Sequence, residues 1–329
     1  MTPCPSCHSG ESRVLGLATD RLFRTTDKEF ELCECRSCEV VFLSPPPLPE
    51  ELANYYPRGY WWQTTARSHG ANPWRSLLEG YRRFMIRGQV RRIRRLAARI
   101  SGNHRRLLDI GCGDGLFLAA CRNGGWVRLG LDPSLDALAS ARARAVDGLA
   151  QGHADSLPFA SDSLDVITMF HVLEHLPDPH QCLREVRRAL GPAGLLVVQV
   201  PNAGSLQRYI FGRSWAGFDV PRHLVNYRVR NLRAVLSLNG FNPVEVTHLS
   251  LRDNPAIPVM SVFPRLYPPS RRTGPAGRRS LPAWVNSLLD LGYFFFVLLI
   301  TPLALAESLM GRGGTFVVVA EKAGTAARS

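Results

Sequence analysis

The chain has 329 residues, of which 45% are hydrophobic and 20% charged, and its 40 Lys and Arg against 27 Asp and Glu give a formal net charge of +13. This composition excludes a disordered polyelectrolyte, and the scattered 28 glycines and 24 prolines exclude a collagen-like or low-complexity chain. A globular protein with one large core or two smaller ones remains. The positive charge leaves polyanionic partners such as RNA or anionic lipid as an open question.

The N-terminus shows neither a basic n-region nor an apolar h-region, so the sequence predicts no secretory signal and a cytoplasmic protein. Thiols stay reduced in the cytoplasm. The eight cysteines are therefore predicted to be metal ligands or core residues rather than disulfides.

A cysteine-rich segment, residues 1–50, is predicted to form a zinc-binding module. Two C-x2-C knuckles present four thiolates, the ligand set that structural zinc prefers, and strands at 13–17 and 28–34 would join them as a hairpin. Cys33 and His8 are spare candidates, and small core thiols are the alternative interpretation. Four protein ligands would close the coordination sphere, so no catalysis is expected here. The predicted ligands are Cys4, Cys7, Cys35 and Cys38.

Residues 51–100 are predicted to connect this module to the rest of the chain. A short strand at 40–43 should end at the prolines of 45–49, because proline lacks the amide donor of a strand ladder. Apolar residues at helical spacing predict an amphipathic helix over 74–100, whose arginines indicate either a solvated face or attraction to anionic lipid or RNA. Before it lies an aromatic cluster that could cover a pocket or pack between domains: Tyr55, Tyr56, Tyr60, Trp61 and Trp62.

A glycine-rich loop within residues 106–118 follows an apolar β-type segment and precedes a helical pattern. Gly111, Gly113 and Gly115 let a ligand lie against the backbone near a helix N-terminus. The spacing is G-x-G-x-G, whereas a pyrophosphate-binding dinucleotide loop normally reads G-x-G-x-x-G. A second strand, 127–131, is followed by Asp132, whose carboxylate can accept hydrogen bonds from both hydroxyls of a ribose. An adenosine-type cofactor is therefore predicted.

Alternating β and α elements continue beyond the loop. The pattern predicts strands at 164–170 and 195–200 around a helix at 181–190, with a Gly-Pro-x-Gly turn before the later strand. A helix at 231–240 and a strand at 241–251 follow, and a last strand at 315–320 should pair antiparallel with the latter.

These segments resemble the class I S-adenosylmethionine-dependent methyltransferases, in particular the small-molecule branch of the ubiquinone-biosynthesis O-methyltransferases. The residues that carry the resemblance are LLDIGCGDG (107–115), GLDPS (130–134), ADSLPF (154–159), DVITMFHVLEHLPDP (165–179) and GLLVVQVPN (194–202). The N-terminal CPSC, CRSC, FLSPPP and NYY segments resemble a zinc-binding extension of such enzymes. The resemblance implies an α/β fold with a Rossmann-like, doubly wound, seven-stranded sheet whose core spans 101–251, a small zinc-ribbon-like module, and a helical insertion before the last strand.

The resemblance also implies a cofactor site for S-adenosylmethionine. Asp109 would face the methionine ammonium, Gly111 and Gly113 would line its methionine and ribose, Asp132 would hold the ribose diol, and Asp155 the adenine amine. The other residues predicted at this site are Cys112, Gly115, Pro133, Ser156 and Phe170.

Candidate catalytic side chains follow the strand at 164–170, at the edge where doubly wound sheets place ligands. An alcohol or phenol acceptor must lose a proton, and His171, Glu174, His175 and, in a later loop, His223 could remove it, although purely structural roles are an equal alternative for His175 and His223. Related quinone O-methyltransferases carry Glu where His171 stands, so metal assistance is not predicted.

An insertion at 252–314 separates the last predicted strand, in 315–329, from the core. Its apolar part runs from 288 to 309, with sixteen uncharged positions at 291–306 interrupted by Pro302, whereas spanning a bilayer takes about 20 residues. An interfacial helix or hairpin on the inner face of the membrane is predicted, with a buried core helix as the alternative. The acceptor would then be lipid-like or lipid-linked.

The sequence therefore predicts methyl transfer from S-adenosylmethionine to a small-molecule, lipid-like or glycan acceptor by in-line displacement. An RNA methyltransferase is one alternative, although the Asn/Asp-Pro-Pro-aromatic segment typical of base-modifying members is replaced here by FHVL at 170–173, which makes a nucleic-acid partner improbable. A non-catalytic zinc- and cofactor-binding interaction protein is the other.

Overall fold

A computed structural model describes residues 2–57, 73–97, 105–122, 125–146, 148–272 and 281–324. Three members of the predicted aromatic cluster, Tyr60, Trp61 and Trp62, lie outside the described residues. The strands are β1 Ser12–Ala18, β2 Phe30–Cys35, β3 Val41–Leu43, β4 Arg105–Ile110, β5 Trp126–Asp132, β6 Gly148–Gln151, β7 Leu164–Phe170, β8 Leu190–Pro201, β9 Val225–Asn226, β10 Phe241–Thr247 and β11 Thr315–Lys322. The helices are α1 Pro49–Leu52, α2 Pro73–Ala97, α3 Leu116–Ala120, α4 Leu135–Ala143, α5 Pro179–Ala189, α6 Leu206–Phe211, α7 Val229–Leu238, α8 Ala256–Val262, α9 Pro268–Arg272 and α10 Ala283–Leu309.

The larger sheet has seven strands in the order β10-β11-β8-β7-β4-β5-β6. Strands β8, β7, β4, β5 and β6 are parallel, and β11 pairs antiparallel with both β8 and β10. The central strands are continuous apolar runs because helices cover both faces of the sheet. The predicted seven-stranded α/β fold is confirmed, including the antiparallel last strand.

Two predicted strand boundaries are wrong. Strand β8 begins at Leu190, which pairs with Leu164 of β7, and regular pairing resumes at Leu195 after a register shift at the expected Gly-Pro-x-Gly turn. Strand β10 ends at Thr247 rather than at residue 251, because its partner β11 pairs no further than Thr247. In both cases the neighbouring strand, and not local composition, decides where pairing stops.

The smaller sheet has four antiparallel strands in the order β1-β2-β3-β9. Strands β1 and β2 form the predicted hairpin between the two cysteine knuckles. The fourth strand, β9, follows β8 of the larger sheet in the chain and pairs with Val41 and Phe42 of β3. Buried residues of both sheets belong to one hydrophobic core, so the cysteine-rich segment packs as part of the main body.

Helix α10 covers 27 residues without interruption, although Pro302 lies inside it. Only 17% of its most apolar window is buried, so the alternative of a buried core helix is wrong. By length and composition alone, the helix is long and apolar enough to cross a membrane.

Candidate functional site

The four predicted metal ligands come together at the knuckles. The Sγ atoms of Cys4 and Cys38 are 3.6 Å apart, those of Cys7 and Cys35 are 3.5 Å apart, and all four lie within 4.8 Å of one another. A tetrahedral zinc with bonds of about 2.3 Å requires sulfur separations of about 3.8 Å. Although burial opposes it, backbone N–H groups of Cys38 and Ser37 lower the pKa of Cys35 to about 7. The cluster therefore fits a structural zinc ion.

The two spare candidates lie outside this cluster. Cys33 is buried, and its thiol lies 3.9 Å from a carboxylate oxygen of Glu31. The ring of His8 packs against that of His180, with 5.1 Å between centroids. The four knuckle thiols alone thus make up this candidate site.

The glycine loop lies at the carboxyl end of β4, and its backbone conformation explains the glycines. Gly113 has a φ of 52°, and a Cβ added there would meet nothing within 4 Å. Gly111 has a φ of 69°, and a Cβ there would lie 2.5 Å from the side chain of Val172. Gly111 therefore permits close packing, whereas Gly113 leaves open space for a ligand beside the backbone.

Two buried carboxylates flank the loop. Asp109, the fifth residue of β4, accepts a hydrogen bond from Thr168 Oγ1 at 2.6 Å, and burial raises its pKa to about 7. Asp132, at the end of β5, accepts hydrogen bonds from the backbone N–H of Gly113 and of Ser134, each at 2.9 Å. Burial raises the pKa of Asp132 as well. Asp132 therefore holds the loop, and Asp109 offers a desolvated carboxylate.

A cavity of about 320 Å³ opens beside the loop. Eight of the predicted site residues line its walls, from the loop and from the histidine-bearing segments. Most of the remaining wall is apolar and comes from the β1–β2 connection, α2, α8 and α10. The predicted lining residues are Asp109, Gly111, Cys112, Gly113, Phe170, His171, His175 and His223, and the additional apolar ones include Phe23, Ile86, Ile257, Tyr293, Phe294 and Val297.

The other predicted cofactor residues lie outside the cavity wall. Asp155 and Ser156 are exposed in the loop after β6. Pro133 is also exposed, and Gly115 faces Ala141 of α4, whose Cβ would lie 2.7 Å from an added Cβ. Asp132 does not line the cavity itself but accepts a hydrogen bond from the backbone N–H of Gly113, which does.

His171 is held between two carboxylates. Its Nδ1 lies 3.2 Å from Glu174 Oε1 and its Nε2 lies 3.4 Å from Asp253 Oδ2. Burial opposes the imidazolium, but Asp253 and Glu174 outweigh it and raise the pKa of His171 to about 9. Gln199 donates to Asp253 at 2.7 Å and braces the group. His171 is thus a cation near neutral pH and has no free lone pair to act as a base.

His175 and His223 pack edge to face, with ring centroids 4.7 Å apart. Nδ1 of His175 lies 3.0 Å from the carbonyl oxygen of Arg222 and 2.9 Å from the hydroxyl of Tyr56, and Nδ1 of His223 lies 2.8 Å from the carbonyl oxygen of Gly217. Burial and the neighbouring His223 lower the pKa of His175 to about 4. His175 is therefore neutral near pH 7, and a neutral ring that donates Nδ1–H to a carbonyl has its acceptor nitrogen at Nε2.

Glu174 completes a second group that could hold a cation. One ligand atom each of Glu174, His175 and His223 lies within 4.8 Å of the others. Glu174 is fully buried, and among the described residues its Oε2 has no hydrogen-bond partner. Metal assistance was not predicted from the sequence, because that prediction rested on His171 alone. His223, from a later loop, completes this group in the fold.

An arginine that the sequence analysis did not identify fixes the loop before His223. Arg222 is fully buried, and it binds Asp20 through two hydrogen bonds of 3.0 and 2.8 Å and Asp219 through two of 3.1 and 2.7 Å. Its guanidinium also lies 4.6 Å from the ring centroid of Phe23. Asp20 follows β1, so this ion triad joins the cysteine-rich segment to the cavity wall.

The sequence shares detectable similarity with known proteins. Residues 81–246 match a family described as a methyltransferase domain. The methyltransferase GfsG of Streptomyces halstedii is 30% identical over 213 residues, which are 61% of this chain and 74% of that protein. An uncharacterized methyltransferase of Mycobacterium leprae is 29% identical over 178 residues, 49% of this chain and 62% of that protein. The chain thus spans about three fifths of the length of that relative. A solved S-adenosylmethionine-dependent methyltransferase from Archaeoglobus fulgidus superimposes with a TM-score of 0.46 at 18% identity, covering 76% of this chain and all of the other.

Proposed function

Because this chain belongs to the methyltransferase-domain family, we propose that it is a class I enzyme that transfers the methyl group of S-adenosylmethionine to a small, lipid-like acceptor by in-line displacement. The observation that carries the proposal is the glycine loop after β4, where Gly113 leaves open space beside the buried carboxylate of Asp109, at the wall of an apolar cavity. The site lies at the carboxyl edge of a parallel sheet, where such folds bind ligands.

The residues of the chain divide the binding of S-adenosylmethionine among them. When bound, this cosubstrate supplies an electrophilic methyl group on a sulfonium. Asp109 binds the methionine ammonium, the backbone at Gly111 and Gly113 lies against methionine and ribose, and Asp132 holds the ribose diol. The remaining contacts of the proposal, to adenine and along the cofactor, come from Cys112, Gly115, Pro133, Asp155, Ser156 and Phe170.

The cavity walls favour a small apolar acceptor over RNA or a glycan. Apolar side chains from α8 and α10 supply much of the wall, whereas a polynucleotide or sugar would need polar and basic partners. An oxygen or nitrogen acceptor also has to lose a proton, and Nε2 of His175 or His223 receives it in this proposal. His171 instead contributes a positive charge, and Glu174 orients it.

We also propose that the four knuckle thiols bind one structural zinc ion. The purified full-length chain is expected to contain about one zinc per chain by atomic emission, because four thiolates at tetrahedral spacing close the coordination sphere. Cys7→Ser should lower the zinc content to near zero, while Cys33→Ser, which changes a buried thiol outside the cluster, should leave it unchanged. Equal zinc content in both variants would contradict the assignment.

The methyltransferase proposal is tested by calorimetric titration with S-adenosylmethionine and, in parallel, with NAD. We expect micromolar binding of S-adenosylmethionine alone, weakened at least tenfold in Asp132→Ala, because that carboxylate orients the loop and holds the ribose. A folded, zinc-loaded sample that does not bind S-adenosylmethionine would refute the proposal and favour a binding protein.

The same preparation then separates binding from chemistry. With a labelled methyl group and a panel of apolar phenols and alcohols, His223→Gln should lower kcat at least about a hundredfold while the affinity for S-adenosylmethionine stays unchanged. Cofactor affinity without turnover of any acceptor, or turnover that survives in both His175→Gln and His223→Gln, would remove the histidines from the mechanism.

A further inference from the structure

Helix α10 has two faces of opposite character. Six apolar side chains recur at intervals of three, four or eleven residues and therefore lie on one side of the helix. Their exposed fractions range from 40% to 86%. We call this side the outward stripe, and its members are Trp284, Leu288, Leu291, Phe295, Leu298 and Leu309.

The charged residues of α10 lie on the other side. Asp290 forms an ion pair with Arg271, and Glu307 is 3% exposed and accepts hydrogen bonds from the backbone and side chain of Gln207. Tyr293 and Val297, on the same side, are buried and line the cavity. The inward face is therefore fixed to the protein, and the outward stripe carries no charge.

This arrangement favours a helix that lies along a surface over one that crosses the bilayer. A lone spanning helix is surrounded by lipid on every side, whereas α10 packs against α8 and the turn at Pro264–Leu266 along its inward side. The helix has 27 residues and, at 1.5 Å each, is about 40 Å long, and this whole length would lie along the surface. Next to it, Val262 and Phe263 of α8 and the following turn are also half exposed, which widens the apolar surface.

Charge decides between the two candidate occupants of this surface, a second copy of the chain and a membrane. The chain carries a net charge of +13, and two exposed arginines lie close to α10: Arg265 in the turn that packs on the helix, and Arg312 just after its last turn. Two copies would bring like charges together, whereas anionic head groups would attract them. An apolar face with flanking arginines is the pattern of an interfacial helix.

We propose that the outward stripe of α10 inserts into the surface of an anionic membrane and that the cavity takes its acceptor from that lipid phase. Tyr293, Phe294 and Val297 belong to the same helix and line the cavity, so docking of α10 brings the cavity wall to the membrane. The second half of the proposal, the lipid-phase acceptor, rests on the proposed methyltransferase function. The first half, membrane docking, does not.

The test is flotation of the full-length protein with vesicles of phosphatidylcholine alone or mixed with an equal amount of phosphatidylglycerol. We expect the protein to float with the anionic vesicles, and Leu291→Gln/Phe295→Gln/Leu298→Gln to reduce the bound fraction at least about tenfold. The matched control is Leu135→Gln/Leu238→Gln, which removes two exposed leucines of α4 and α7 and should float like the wild type. Arg265→Gln/Arg312→Gln should weaken binding to anionic vesicles only.

Lipids brominated near the carbonyl end of the acyl chain add a measure of depth. They should quench a tryptophan signal that Trp284→Phe removes, and lipids brominated near the methyl end should quench it less, since an interfacial helix lies at the boundary of head groups and acyl chains. Wild-type protein that stays with the lipid-free fraction, or a stripe variant that floats as well as the wild type, overturns the proposal. Dimers in light scattering that the stripe variant dissociates, without flotation, would assign the surface to a second copy. Calorimetry with S-adenosylmethionine on the same samples reports separately on the proposed function.

Discussion

Asp109→Asn is expected to remove measurable binding of S-adenosylmethionine while making the free protein more stable above neutral pH. The carboxylate is fully buried at the wall of the loop site, where it can pair with an ammonium. Loss of a desolvated charge partner should weaken binding at least about a hundredfold. Calorimetry at about pH 8 measures this effect.

The gain in stability follows from the direction of the pKa shift. Burial raises the pKa of Asp109 from 3.8 to about 7, so the native state resists ionisation that the unfolded chain accepts. The native state therefore loses stability as pH rises from about 4 to about 7. Asn removes this cost, and we expect a free energy of unfolding higher by about 2 to 4 kcal/mol at pH 8, with no gain below about pH 4. Urea denaturation at the two pH values tests the difference.

The wild type should show a matching pH dependence of binding. Because the ionised carboxylate binds the ammonium, affinity for S-adenosylmethionine should fall about tenfold per pH unit below about pH 7, with proton release on binding. Asp136→Asn, which changes an exposed carboxyl of α4, is the control and should behave as wild type. Affinity that is independent of both pH and Asp109→Asn would show that another group binds the ammonium.

Arg222→Met is expected to lower the free energy of unfolding by about 3 to 5 kcal/mol. The substitution leaves Asp20 and Asp219 buried without their partner, and truncating one member of a buried ion pair is far more costly than removing a surface pair. Arg222→Lys should recover only part of the loss, since an ammonium cannot reproduce the forked hydrogen bonds. Denaturation in urea at pH 7 measures both variants.

Two further variants show whether the ion triad causes the loss. Arg222→Met/Asp20→Asn/Asp219→Asn should regain much of the stability, because no buried carboxylate is left uncompensated. Arg184→Met removes an exposed ion pair with Asp178 and should change stability by less than about 1 kcal/mol. A loss no larger in Arg222→Met than in Arg184→Met would mean that the triad does not hold the cysteine-rich segment to the cavity wall.

Much of the fold and part of the site could be predicted from local sequence. Strand β7 has the predicted bounds, 164–170, because an apolar run with turn residues on both sides marks a buried strand without reference to its neighbours. The four knuckle thiols came together as predicted, since two short turns determine their spacing. The glycine loop and Asp109 were predicted for the same reason: each depends on a strand, a turn and a helix that adjoin in the chain.

The residues that were missed act across long distances in the sequence. Asp253, which follows β10 in the chain, contacts His171 although 82 positions separate them. Arg222 and Asp20 form an ion pair across 202 positions. An isolated aspartate or arginine in a loop gives no local signal, because its partner is defined only once both segments are packed. Strand β9 is likewise too short to predict, because its two residues are recognised as a strand only by their pairing with β3.

The sequence by itself determined the alternation of strands and helices, the glycine loop, the thiolate cluster and the presence of a long apolar segment, since each is encoded within a few tens of neighbouring residues. The tertiary structure alone decided which face of α10 is exposed, which backbone carbonyls the histidine rings face, and how the cysteine-rich segment is joined to the cavity. Exposure, tautomer and ion pairing depend on which distant groups surround a side chain, and packing of the whole chain sets those surroundings.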